Sequence, residues 1–119
     1  MTVVYGTVCL DVTYRLPHLP VKGGYVEVLS ELVALGGEAA NTAAAIRMWG
    51  GEAVLVGNPI GAGPEAEMLA RLLAERGLGD ALLPPSDHPA PVCHIMVTPD
   101  GERTMFGRGF AEMEEQGDP

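Results

Sequence analysis

The run Val3-Val4-Tyr5-Gly6-Thr7-Val8-Cys9-Leu10 constrains this chain more than any other feature: it carries no charge, is rich in β-formers and ends at Asp11. A strand apolar on both faces must be covered on both, as happens to a central strand of an α/β sheet. The covering helices follow. Glu38 to Trp49 places Ala39, Ala43 and Ile46 at i, i+4 and i+7. Pro64 to Arg76 has Pro at the first helical position and Gly77 just past its end. Leu69, Leu72 and Leu73 form its inner stripe, and Glu67, Arg71 and Glu75 its outer charged row. Between the helices, Ala53-Val54-Leu55-Val56-Gly57 is a second short buried strand. The expected fold is α/β, with a layered, mostly parallel sheet.

The remaining β-like stretches read as peripheral. Residues 12–24 hold Pro17, Pro20, Gly23 and Gly24 and predict a loop. From Tyr25 to Leu35, one face carries Tyr25, Glu27, Leu29, Glu31 and Val33, a mixture that suits a flap rather than a core. After Pro84, Pro85, Pro89 and Pro91, the stretch Val92 to Thr98 turns through Pro99-Asp100-Gly101 into Arg103 to Phe106, a hairpin pattern. These segments, about 12–35 and part of 92–106, predict a small β lid. Ala111 to Pro119 is acidic and adds no closing element.

At 119 residues the chain has material for one modest core. A net charge of −9, with seven scattered Lys and Arg, repels nucleic acid and anionic membrane surfaces. No apolar run approaches the roughly 18 residues of a membrane span, and no signal-peptide pattern opens the chain. The expectation is a cytoplasmic protein with no nucleic-acid or membrane partner. Cys9 and Cys93 both lie in strand-like runs, which predicts two buried thiols rather than a disulfide. No Cys/His cluster has metal-ligand spacing, and His18, His88 and His94 stand alone.

The chemistry concentrates in Gly36-Gly37-Glu38-Ala39-Ala40-Asn41-Thr42-Ala43. Two glycines at a strand-to-helix junction let a ligand approach bare backbone, and the helix start offers free N–H groups and the positive end of the dipole. One turn in, the Asn41 amide both donates and accepts, as recognition of a hydroxyl requires. Asp11 is expected at the end of the first strand, where α/β folds place ligands. Its carboxylate can accept from two neighbouring hydroxyls, so the set reads as a polyol site. The bland alternative stays open: a plain turn, a helix-start residue and a loop-entry cap. Gly61-Ala62-Gly63 also follows a strand and opens a helix, but Pro64 removes an N–H and Glu65 and Glu67 repel phosphate, so it reads as a turn rather than a phosphate loop or dinucleotide fingerprint.

Gly36 to Ala43, then Gly50, the strand AVLVG and a further glycine, resembles the first sequence motif of the PfkB (ribokinase-like) carbohydrate kinases. GTVCLD looks like that family's first strand with its sugar-contacting Asp, and VTPDGERT, residues 97–104, resembles its hairpin. The resemblance implies that residues 1–119 are the N-terminal portion of a ribokinase-like kinase domain. It implies sugar contacts at Asp11, Gly36, Gly37 and Asn41, and a lid that excludes water during phosphoryl transfer. It further implies ATP and Mg²⁺ as cofactors, a sugar, nucleoside or related polyol as substrate, and a homodimer through the lid strands. Departures are a spacing from Ala43 through Gly50 to Gly61 that is one residue longer than the motif expects, Cys9, where ribokinases carry a polar Asn, and Glu38, which puts a carboxylate beside the site. The family's Gly-Ala-Gly-Asp anion hole, catalytic Asp and ATP site have no counterpart after residue 106, so no catalytic residue is expected here. The alternative expectation is a non-catalytic remnant that holds a polyol or associates through its lid.

Overall fold

The computed structural model describes residues 1–110; the acidic stretch 111–119 lies outside them. The opening apolar run does not remain one strand. It breaks at Thr7 and Val8 into β1 (Thr2–Gly6) and β2 (Cys9–Arg15), which belong to different sheets. The break follows Gly6, whose φ is 153°, and a Cβ there would stand 3.1 Å from the Ala39 Cβ. A glycine inside an apolar run marks a bend or a close approach, and here it marks both.

The other elements are β3 (Ser30–Gly36), α1 (Glu38–Met48), β4 (Ala53–Gly57), α2 (Pro64–Glu75), β5 (Val92–Val97) and β6 (Arg103–Arg108). β1 and β4 pair in parallel, from Thr2 opposite Ala53 to Gly6 opposite Gly57. The far edge of β4 takes a single parallel bridge, Val56 to Leu82. The second sheet has the order β3-β2-β5-β6. In it, β2 runs antiparallel to β3 and parallel to β5, while β5 runs antiparallel to β6.

The α/β layering agrees with expectation, but a mostly parallel sheet does not: two of the four pairings are antiparallel. For β5 and β6 the physical reason is connection length. A tight turn such as Thr98–Gly101, closed by the Gly101 N–H donating to the Thr98 carbonyl at 2.9 Å, can only join antiparallel neighbours. The second sheet reaches further back than residue 12, because β2 starts at Cys9. Tyr25 to Leu29 lies outside the ladder, since β2 ends at Arg15, opposite Ser30.

Each helix covers one sheet. α1 packs on β1 and β4 through Ala39, Ala40, Ala43 and Ala44, whose small side chains let helix and strands approach closely. α2 packs against β2 and β3, burying Ala66, Leu69 and Leu73, with Leu72 partly covered. Leu55, Leu69 and Leu78 are fully buried, each contributing about 1.5–3 kcal/mol relative to exposure. On the opposite face of the β1/β4 sheet, Tyr5 is 79% and Val3 67% exposed, beside Leu82. Among the described residues, no helix is long and apolar enough to cross a membrane.

Candidate functional site

Asp11 does not end the first strand. It is the third residue of β2, inside the projecting sheet, because the chain changes sheets four residues earlier than its apolar pattern implies. Strand alternation sends Leu10 and Val12 into the core and Asp11 to the opposite face, where it is half-buried. On that face its cross-strand neighbours are Ala34 of β3 and Cys93 of β5.

The carboxylate rests directly on Gly36. A Cβ built on Gly36 would fall 2.3 Å from Asp11 Oδ1 and 2.6 Å from Oδ2, so only a glycine admits the acid group there. Gly37 is excluded from carrying a side chain by a different neighbour, since its Cβ would lie 2.2 Å from the Thr7 carbonyl oxygen. Its φ of 95° is a second constraint, a conformation costly for any residue with a Cβ. The close approaches that the glycine pair permits are thus made within the protein, by Asp11 on one and by Thr7 on the other.

Gly37 is also the N-cap of α1, and its carbonyl accepts from the Asn41 N–H at 3.1 Å. Gly37 offers no side chain to cap α1, and the positive end of the helix dipole lies next to Gly36, against which the Asp11 carboxylate rests. Asn41 is exposed, and its amide makes no hydrogen bond among the described residues. Asp11, Gly36 and Gly37 therefore form one cluster, with Asn41 a turn away and without direct contact to Asp11. Glu38 is exposed in the first turn of α1, where a negative charge is favourable.

Cys9 Sγ lies 3.5 Å from Asp11 Oδ1 as a weak donor, and no other hydrogen bond reaches this carboxylate among the described residues. Burial first, then the Asp11 charge and hydrogen bond, pushes the Cys9 thiol up to about 12. Burial and the same charge raise Cys93 as well. Both cysteines are free, Cys9 buried and Cys93 half-buried. The acid thus keeps most of its acceptor capacity and is flanked by two neutral thiols.

Gly61-Ala62-Gly63 is not a phosphate loop. The Ala62 N–H already donates to the His88 carbonyl at 2.9 Å, and Gly61 lies against that same carbonyl. No group of three or more His, Cys, Asp or Glu that could hold a metal occurs among the described residues. Sequence reasoning gave no role to Asn58. Its Oδ1 accepts from the Val8 N–H at 2.7 Å, while its Nδ2 donates to the Val8 carbonyl at 2.9 Å. An Asn directly after an apolar strand was the available signal.

An uncharacterized sugar kinase of Escherichia coli (strain K12) is 36% identical over 115 residues, which is 95% of this chain and 34% of the relative. An uncharacterized sugar kinase of Dictyostelium discoideum is 30% identical, over 94% of this chain and 37% of the relative. Among solved structures, the ribokinase of Arabidopsis thaliana complexed with ribose and ATP superposes with a TM-score of 0.74 at 23% identity, covering 91% of this chain and 35% of that one. The chain spans about a third of the length of the curated relatives it matches. The family description pfkB family carbohydrate kinase matches residues 1–118, and the chain belongs to that family.

Proposed function

We propose that this chain carries the substrate-holding part of an ATP-dependent phosphotransferase acting on a sugar, nucleoside or related polyol hydroxyl. The observation that carries this reading is the Asp11 carboxylate, laid on Gly36 next to the N-terminus of α1 and, among the described residues, engaged only by a weak thiol donor. A carboxylate accepts hydroxyl hydrogens, and helix N–H groups donate to hydroxyl oxygens. The two together bind a diol from both sides. Asn41, a turn further, supplies a neutral group able to do either.

ATP and Mg²⁺ belong to the complete reaction, and the described residues do not fit them. The glycine loop that opens α2 is closed by its own backbone bond, and Glu65 and Glu67 stand in the first turn behind it. No phosphoryl-transfer step is assigned to this chain's residues. The complete protein is expected to act in the cytoplasm, and Asp11, Gly36, Gly37 and Asn41 are its proposed substrate contacts.

The test is a titration of the chain with D-ribose, D-fructose and adenosine, followed by chemical shifts of Asp11, Gly37 and Asn41. Saturable shifts at those residues are expected. Asp11→Ala should weaken the binding about 10- to 100-fold, since each bond to a charged group contributes roughly 1.5–3 kcal/mol. Equal affinity in Asp11→Ala would overturn the assignment.

A further inference from the structure

Val8 lies exactly where the chain leaves one sheet for the other, and it is fully buried. The β1/β4 ladder stops at Gly6 opposite Gly57, and β2 gains its first partner at Cys9, opposite Gly36. Val8 therefore has no strand neighbour for its N–H or its carbonyl, although a buried backbone group needs both satisfied. The Asn58 carboxamide satisfies both, at 2.7 and 2.9 Å, and its Nδ2 also bonds the Pro59 carbonyl at 2.8 Å. One side chain thus extends the ladder by one rung where backbone geometry cannot.

The neighbourhood makes that rung a reference point. On one side, Gly37 brings the start of α1 against Thr7 and Val8. On the other, a Cβ on Gly57, the residue before Asn58, would meet Val8 Cγ2 at 2.7 Å. Asp11 follows Val8 by three residues along β2. Any freedom at Val8 swings β2, and with it the carboxylate, relative to the N–H groups of α1.

We propose that Asn58 is a positioning residue: by clamping the Val8 peptide it fixes the projecting sheet against the β1/β4 layer, and so fixes Asp11 relative to the first turn of α1. The part concerning ligand affinity rests on the polyol reading above; the clamp itself does not. The pair of bonds also predicts an ordering of variants. Asn58→Asp keeps an acceptor for the Val8 N–H but sets a carboxylate against the Val8 carbonyl, so it retains half of the clamp. Asn58→Ala retains none.

The experiment uses the 119-residue chain without ligand first. Amide exchange at Val8 should speed up at least tenfold in Asn58→Ala and by less in Asn58→Asp, while Leu55 and Leu69 keep their protection. Residual dipolar couplings should fit one alignment frame in the parent chain and require two, one for each sheet, in Asn58→Ala. Unchanged Val8 exchange with a single frame retained would overturn the clamp. Should Asn58→Ala fail to fold, Asn58→Leu, which keeps the bulk but neither hydrogen bond, carries the same two readouts, and parent-like values in it would equally overturn the proposal. Titration with D-ribose then separates the two readings. Binding weakened at least tenfold by Asn58→Ala at unchanged thermal midpoint supports positioning of Asp11. Binding unaffected by a variant that needs two frames removes the role toward Asp11. Absence of binding in the parent chain counts against the polyol reading alone, and the exchange and coupling results still decide the clamp.

Discussion

The β1/β4 layer and the projecting β3-β2-β5-β6 sheet are held together by different physics. In the layer, two parallel strands of five residues are fixed by apolar volume: Ala39, Ala40, Ala43 and Ala44 press on one face, and Leu55 is fully buried beneath them. The projecting sheet has only its root in the core, through Leu10, Val12, Leu35 and Val92. Beyond the root Leu16 and Ile95 are still buried, but all six residues of β6 are exposed. Side-chain pairs tie β2 to β5 and β5 to β6. Tyr14 and His94 share a hydrogen bond at 3.1 Å, and the His94 ring stacks on Phe106 at 4.8 Å. The stable layer supplies the helix start, and the less buried sheet supplies the carboxylate.

The sharpest way to break this comparison is to truncate one residue of each kind. Leu55→Ala should cost about 2–5 kcal/mol, because the covered layer cannot collapse onto the space left. Leu32→Ala or Met105→Ala, on exposed strands of the projecting sheet, should change stability by no more than about 0.5 kcal/mol. Chemical denaturation of the three variants measures the difference. Equal costs would mean that the projecting sheet has a core of its own.

The two glycines at the junction sharpen the contrast, since adjacent positions should fail in different ways. Gly37→Ala places a methyl on the Thr7 backbone carbonyl and strains a positive φ, so a loss of about 1–3 kcal/mol or more is expected. Gly36→Ala meets only the end of the Asp11 side chain, which can rotate away. Its stability should stay near that of the parent while the shifts of Asp11 report a displaced carboxylate. Thermal melts and carboxyl-carbon shifts distinguish the two. A Gly36→Ala chain that loses as much stability as Gly37→Ala would show that Asp11 is locked rather than poised.

The layer was the legible part of the sequence. Ala53 to Gly57, Pro64 and Gly77 announce their roles by composition alone, and the structure differs from that reading by a residue or two at helix ends. The break in the opening run was not legible, because Val3 to Leu10 is uniformly apolar although it serves two sheets. Burial on both sides of the break asks for the same residue types, so hydrophobicity carries no boundary there; Gly6 alone hints at one. For the same reason the glycine pair was visible but its occupants were not: which atoms fill the space over Gly36 and Gly37 depends on residues about 25 to 30 positions earlier.

The smallest expected effect lies at the joint between the two regions, where Cys9 is buried beside Asp11. Its thiol, ordinarily near 9, is held up to about 12, first by burial and then by the neighbouring carboxylate. The unfolded chain therefore releases this proton at lower pH than the folded one. Between those two values the folded state binds more protons, so the linkage relation makes stability fall as pH rises. The contribution is intact below about pH 9 and is lost progressively toward pH 12. Cys9→Ala removes the proton without removing the other groups that titrate in that range, Tyr14 and Cys93 among them. The stability difference between parent and Cys9→Ala should hence be constant from pH 7 to 9 and narrow or reverse above it. Urea melts at half-unit steps measure that difference. A parent chain that tracks Cys9→Ala in parallel up to pH 11 would place the thiol in contact with water, and with it the root of the projecting sheet.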